Sequence, residues 1–138
     1  MPTSLSKIDG FLADQPYETE VVVVENGSTD QTAHVVEEFA RSHPQVRLFR
    51  EIERGKGLAV RRGMLEARGD YRFMCDADLS MPIEEINAFL PPQIDHFDLA
   101  IGSREAPGSH RYNEPYHRHL MGRVLNWIVK LTAVRGFE

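Results

Sequence analysis

Two aspartates separated by one residue, Asp76 and Asp78, follow directly on the apolar residues 73–75. Hydrophobic burial gives no reason for two carboxylates at that point. In an extended segment both can turn toward one cation, and their oxygens suit Mg²⁺ or Mn²⁺, which keep further coordination positions for phosphate. The same residues also fit a solvated turn in which one aspartate caps a helix that begins at Pro82. Spacing alone leaves both interpretations open.

Other polar residues stand at the starts of predicted helices and the ends of predicted strands. Lys56 lies between two glycines, which suits either an anion cradle or a flexible turn, and the spacing of a P-loop is missing. Arg104 suits a phosphate contact or an ordinary surface position. Glu25 and Asn26 follow four valines and suit either hydrogen bonds to a ribose or base, or a turn and helix cap.

Strands and helices alternate along the chain. The valines at 21–24 have the composition of a strand buried on both faces of a parallel sheet, and residues 28–31 have the form of a capping box that starts a helix. The predicted strands are Glu20–Val24, Val46–Phe49, Tyr71–Cys75 and Phe97–Ile101. The predicted helices cover 4–14, open at Ser28, Gly55 and Pro82, and run from Tyr116 to Val134 after a loop at 106–116.

This alternation predicts an α/β fold with a mainly parallel sheet and flanking helices. In open sheets of this kind ligands bind beyond the carboxyl ends of the strands, so Glu25, Asp76 and Arg104 are expected at one edge. A chain of 138 residues forms one domain or part of a larger one, and we treat 1–138 as a single unit.

Composition excludes several classes of protein. Sixteen basic against 21 acidic residues give a net charge of −5, which argues against a nucleic-acid partner. The single cysteine, Cys75, fits a reducing compartment, and no stretch approaches the ~18 apolar residues of a membrane span. We therefore expect a cytoplasmic protein. The last predicted helix, at 116–134, has a broad apolar arc. This arc suits either packing on the sheet or contact with a lipid surface or lipid-linked substrate.

Four segments together resemble the family-2 glycosyltransferases of GT-A fold, and most of all the dolichyl- or polyprenyl-phosphate glucosyltransferases. They are VVVVENGSTDQT, RGKGLAVRRGMLEARGDY, FMCDADLSMPIEE and IGSREAPGSHR, and they occur in the family's order over nearly the whole chain.

The resemblance assigns roles to individual residues. It implies that Asp78 binds Mg²⁺ or Mn²⁺ at the donor's diphosphate and that Asp76 lies nearer the ribose or sugar, so both belong to the catalytic centre. Glu25 and Asn26 match the family's nucleoside-binding acidic pair, although both differ from its usual two aspartates. Lys56 and the arginine at 104 match basic positions near the nucleotide and phosphates.

The implied reaction is transfer of glucose from UDP-glucose to a polyprenyl or dolichyl phosphate, with inversion. The acceptor would bring the protein to the cytoplasmic face of a membrane. The family's sheet contains a further strand before the residue matching position 1, and a further motif after position 138. We therefore expect an incomplete GT-A domain whose unpaired sheet edges lead to dimerisation, strand exchange or local rearrangement.

Two other functions fit parts of the sequence. A nucleotide-binding fragment without catalysis would keep the fold and lose the reaction. An aspartyl-phosphate phosphatase also places an aspartate pair after a strand. That enzyme needs a downstream lysine and further acidic residues, and Lys130 in the apolar helix is the only later lysine.

Overall fold

A computed structural model describes residues 2–102. Its elements are α1 (Pro2–Ala13), β1 (Val21–Glu25), α2 (Thr32–Ser42), β2 (Val46–Arg50), α3 (Lys56–Glu66) and a 3-10 helix at Ile83–Phe89. The first of two compact units ends at Phe97 and contains all of these elements. The predicted loop at 106–116 and helix at 116–134 lie outside the described residues.

The sheet of the described region is a parallel pair of strands. β1 and β2 run in register from Val21 opposite Val46 to Glu25 opposite Arg50. Two flanking bonds continue the ladder, one from the Val21 amide to the Gln45 carbonyl (2.9 Å) and one from the Glu51 amide to the Glu25 carbonyl (2.8 Å). The order β1, α2, β2, α3 confirms the α/β prediction with a parallel sheet.

Helices cover both faces of this pair. Leu5 of α1, Val36 of α2 and Val46 of β2 form the buried core, and Val36 is fully buried. Val21, Val23, Phe39, Ala40 and Leu48 pack around it. Val24 points to the other face, where a Cβ on Gly63 of α3 would lie 3.4 Å from it. Because successive side chains of a strand point to opposite faces, the valines of β1 contact helices on both faces of the pair.

Two helix starts differ from the predicted ones. α1 begins at Pro2, two residues before the predicted start at Ser4, so neither Ser4 nor Ser6, which could have capped a helix starting there, is at its amino end. The capping box at 28–31 does not form, and α2 begins at Thr32 with no side-chain cap from Gln31. In a capping box the Gln31 side chain would accept the Ser28 amide hydrogen, but here the Glu25 carboxylate accepts it. The Asp30 carboxylate instead accepts the Thr32 amide hydrogen, at 3.0 Å.

Two of the four predicted strands are absent from the described residues. Tyr71–Cys75 and Phe97–Ile101 have no strand pairing, and Met74, which a buried strand would cover, is 46% exposed. Phe73 and Cys75 are half-buried on either side of Met74, an alternation typical of extended chain. The pattern of a strand is present at 71–75, but a strand also needs a neighbouring backbone to bond with.

A cavity of about 970 Å³ lies between β1 and residues 68–77. Residues of α1 and α3, Lys56 among them, line this cavity together with Asp76. Its volume is at the upper end of the roughly 300–1,000 Å³ of small-molecule pockets. The residues of β1 are consequently half-buried, where the sequence predicted full burial.

Glu20 holds residues 68 and 69 to the amino end of β1. Its carboxylate accepts the amide hydrogens of Arg68 and Gly69 and pairs with Arg47 at 2.8 Å. The bond from the Arg68 amide contributes most to a lowered pKa of the Glu20 carboxyl, with smaller contributions from Arg47 and the Gly69 amide against an opposing effect of burial.

Replacing Glu20 should change how stability depends on pH. The folded carboxyl has a pKa below its ordinary value of 4.5, so its contribution is present above that pH and is lost as the pH falls through the folded pKa. Glu20→Gln should lower the free energy of unfolding at pH 7, and its difference from the wild type should shrink below pH 4.5. Denaturant titrations of both proteins at several pH values measure this. The exposed Glu18→Gln is the control, and a pH-independent difference would contradict the prediction.

The free edge of β1 should take up another strand. The amides of Val21 and Val23 face β2, whereas those of Val22 and Val24 point to the opposite edge, which no strand covers within residues 2–102. We expect dimers or larger species by light scattering. Hydrogen exchange at Val22 and Val24 should slow with rising protein concentration, while Val21 and Val23 stay slow throughout. A monodisperse monomer with slow exchange at all four amides would rule this out.

Candidate functional site

The loops that follow β1 and β2 are joined through the side chain of Asn26. Its Nδ2 donates to the carbonyls of Glu51 (3.3 Å) and Glu53 (2.6 Å), and its Oδ1 accepts the Gly55 amide hydrogen at 2.7 Å. The donors and the acceptor of this amide are therefore occupied by backbone. In this structure Asn26 builds the turn, which is the alternative that the sequence left open.

A left-handed glycine allows the two loops to approach. Gly27 has φ +72°, and a Cβ there would lie 3.0 Å from Nε of Arg54. The Arg54 guanidinium also reaches the Gly27 carbonyl at 3.4 Å. A larger residue at 27 would meet both backbone strain and this contact.

The joined loops place Lys56 beside residues 76–78, the acidic segment that contains Asp76 and Asp78. Lys56 is the first residue of α3 and follows Gly55, whose amide is bonded to Asn26. Its Nζ lies 2.7 Å from Oδ1 of Asp76, and the two side chains are 70% and 55% exposed. The structure thus pairs two residues that the sequence singled out separately.

Asp78 turns toward its own loop. Its Oδ1 accepts hydrogen bonds from the Ser80 amide (2.9 Å) and the Ser80 hydroxyl (2.7 Å). The hydroxyl and then the amide lower the pKa of the Asp78 carboxyl, with a smaller contribution from Lys56. Leu79 between them has φ +52°, and its amide donates to the Asp76 carbonyl at 3.0 Å. A leucine in this region is strained, so the tight turn is held by its hydrogen bonds.

The thiol of Cys75 is unsuited to nucleophilic chemistry. Burial raises its pKa most, and the charges of Asp76 and Asp78 raise it further. A thiol with a raised pKa is largely protonated at neutral pH and is a poor nucleophile.

The acidic segment offers suitable oxygen ligands for a divalent cation. The described bonds to Asp76 and Asp78 use Oδ1 in both residues, so neither Oδ2 has a described partner. The Lys56 ammonium already provides a positive charge next to the Asp76 carboxylate. Within residues 2–102 no group of three or more His, Cys, Asp or Glu side chains gathers to hold a metal. Two carboxylates nevertheless fit Mg²⁺, which usually takes one or two from protein and the rest from water and phosphate.

Several predicted site residues therefore lie at the carboxyl end of β1. The turn brings Glu25 and Asn26 next to Gly55, and Lys56 links that turn to Asp76. Lys56 and Asp76 line the cavity, whereas Asp78 is exposed outside its lining. Arg54 and Ser80 also belong to this region, and neither was predicted from the sequence. The position of Ser80 two residues after Asp78 is a signal for a local side-chain cap. Arg104 lies outside the described residues.

Comparison with known proteins gives one family match over most of the chain. The model of "Glycosyl transferase family 2" matches residues 8–136. The α/β architecture with its parallel strands is consistent with the GT-A fold. No solved structure matches the chain significantly.

Curated relatives include transferases of two sugars. A dolichol-phosphate mannosyltransferase of Pyrococcus furiosus is 36% identical over 96% of this chain and 38% of its own length. Dolichyl-phosphate beta-glucosyltransferases of Trichomonas vaginalis and Drosophila melanogaster are each 32% identical, over 86% and 100% of this chain and 37% and 47% of their own lengths. The chain thus spans less than half of each. None of the helices among residues 2–102 has the length and apolar character needed to cross a membrane.

Removing the Asn26 side chain should loosen the turn that positions Lys56. Asn26→Ala loses three hydrogen bonds to backbone and should lower the free energy of unfolding by about 1–3 kcal/mol. Gln31→Ala is the control, because Gln31 makes no capping bond, and it should stay within about 0.5 kcal/mol of the wild type. Urea unfolding followed by circular dichroism measures both. Equal stability of the two variants would show that the Asn26 bonds do not hold the loops.

Proposed function

This chain belongs to glycosyltransferase family 2, and from that membership we propose that it transfers a hexose, glucose from UDP-glucose, to a polyprenyl or dolichyl phosphate. The names of its relatives support a dolichyl-phosphate acceptor. The observation that carries the proposal in the structure is the Lys56–Asp76 pair, which places opposite charges on the wall of a cavity at the carboxyl end of β1.

The reaction is a direct displacement at the anomeric carbon. An oxygen of the acceptor phosphate forms the new bond to C1, the bond from C1 to the donor diphosphate breaks, and the nucleoside diphosphate leaves with inversion. The acceptor phosphate is already ionised at neutral pH, so it needs little help from a general base. Carboxylates and a lysine are therefore sufficient side chains for this chemistry, and a catalytic histidine is not required.

Each site residue has a defined part in this proposal. Asp78 would hold Mg²⁺ or Mn²⁺, and Asp76 would orient the ribose or sugar. The bound cation would offset the negative charge that grows on the departing diphosphate. Lys56 would contact the phosphates at the amino end of α3, where backbone amides also favour an anion. Arg104 would add a second positive charge.

Glu25 and Asn26 would act mainly by shaping the pocket. The Asn26 amide is bonded to three backbone groups, and the Glu25 carboxylate holds the Ser28 amide. A nucleoside would then meet the surface of this turn, and Glu25 retains a second carboxylate oxygen for it. The lipid-linked acceptor would bring the protein to the surface of a membrane, on its cytoplasmic side.

A nucleotide-binding module without catalysis is the second candidate. It is favoured by the engagement of Asp78 with Ser80 and by the position of Asp78 outside the cavity lining. The family match lends no support to an aspartyl-phosphate phosphatase. Donor binding and sugar transfer, measured separately, distinguish the transferase from the binding module.

Calorimetry with UDP-glucose tests the donor site. With Mn²⁺ present the wild type should bind UDP-glucose more tightly than GDP-mannose, and Asp78→Asn should weaken binding about tenfold or more, equivalent to about 1.4 kcal/mol. Asparagine keeps an oxygen for Ser80, so the loss reports the missing charge. Asp14→Ala, at an exposed aspartate beyond α1, is the control.

Two results would contradict the donor site. One is UDP-glucose binding that is independent of Mn²⁺, and the other is equal binding by Asp78→Asn and the wild type. A transfer assay with radiolabelled UDP-glucose and dolichyl phosphate then separates the two candidates, since the binding module would bind the donor and form no glycolipid.

A further inference from the structure

The ion pair between Lys56 and Asp76 joins two segments that are anchored separately. Lys56 is fixed at its backbone, because α3 begins there and the preceding Gly55 amide is held by Asn26. Asp76 lies at the end of residues 68–76, whose other end is held by Glu20 through Arg68 and Gly69. The 2.7 Å contact between Nζ and Oδ1 therefore links these two segments at the wall of the cavity.

This contact is weak enough to exchange. Both side chains are more than half exposed, and an exposed ion pair contributes only about 0–1 kcal/mol. The lysine side chain is flexible, so its ammonium can leave the carboxylate without movement of α3. A divalent cation and a diphosphate that bind together supply a new partner for each member of the pair.

We propose that Lys56 is an internal counter-ion of Asp76 that exchanges partners when a metal–nucleotide complex binds. Without ligand, the Lys56 ammonium neutralises Asp76 and competes with a divalent cation at that carboxylate. With nucleotide present, the ammonium moves to the diphosphate and leaves Asp76 free. This inference rests on the proposed function and differs from it in one role: Asp76, placed there near the ribose or sugar, is here a second carboxylate ligand of the cation beside Asp78. It adds a physical coupling between the binding of nucleotide and of metal.

The exchange has a thermodynamic consequence. If Lys56 opposes the cation only while no nucleotide is bound, UDP must raise the affinity for Mn²⁺, and Mn²⁺ must raise the affinity for UDP by the same factor. Part of that factor comes from Lys56 and disappears when its charge is removed. If Lys56 merely added affinity for phosphate, its removal would leave the affinity for Mn²⁺ alone unchanged or lower.

Binding of Mn²⁺ followed by electron paramagnetic resonance of the free ion tests this without any measurement of activity. Lys56→Gln should bind Mn²⁺ alone about two- to fivefold more tightly than the wild type, the range expected for loss of an exposed ion pair. The increase in Mn²⁺ affinity on addition of UDP should be smaller in this variant. UDP itself should bind it more weakly.

Two matched variants separate the pair from the general effect of charge. Arg61→Gln removes a positive charge from an exposed residue of the same helix and should leave Mn²⁺ binding close to that of the wild type. Lys56→Arg retains a cation for Asp76 and should restore weak binding of Mn²⁺ alone. Thermal unfolding of all variants checks that they fold alike.

The outcomes distinguish this inference from the proposed function. Equal or weaker Mn²⁺ binding by Lys56→Gln in the absence of UDP, or a gain no larger than that of Arg61→Gln, overturns the counter-ion role while the donor site can still bind UDP-glucose. Failure of the wild type to bind Mn²⁺ even with UDP overturns both the inference and the metal-dependent donor site.

Discussion

The arrangement of the candidate site depends on the hydrogen bonds of one amide side chain. Asn26 bonds to the carbonyls of Glu51 and Glu53 and to the amide of Gly55. These bonds hold the loop after β1 against the loop after β2. Gly55 directly precedes α3, so this bonding also helps to position Lys56, the first residue of that helix. The parallel pairing of β1 and β2 brings the two loops to the same edge, and Asn26 then fixes their separation.

The part of the fold that the sequence predicts well is the part whose interactions are local or lie between adjacent elements. The valine run and the glycine before α3 each contain their own signal, and a βαβ unit follows from the order of the elements. Residues 71–75 have an equally clear apolar pattern but form no strand. Their pattern records what the side chains prefer, whereas a strand also requires a neighbouring backbone, and the cavity separates them from β1.

The candidate site divides in the same way. Its residue types and their positions at the ends of predicted elements can be read from the sequence. The contacts that these residues make with one another cannot be read from the sequence. The contact of Lys56 with Asp76 spans 20 positions and depends on how the segment between them folds. The contact of Asp78 with Ser80 is local. A cation site and a solvated turn are nevertheless both compatible with the sequence until the backbone conformation at Leu79 is known.

The two anchors of residues 68–76 differ in kind. At one end a half-buried carboxylate accepts two main-chain amides and an arginine, and at the other an exposed lysine meets an exposed aspartate. Because the contact at the Asp76 end lies between exposed side chains, it costs less to break than the contacts of Glu20. Loss of that contact alone would leave the Glu20 anchor, the β1–β2 pair and the buried cluster of Leu5, Val36 and Val46 in place, so this part of the cavity wall can change without disturbing the core.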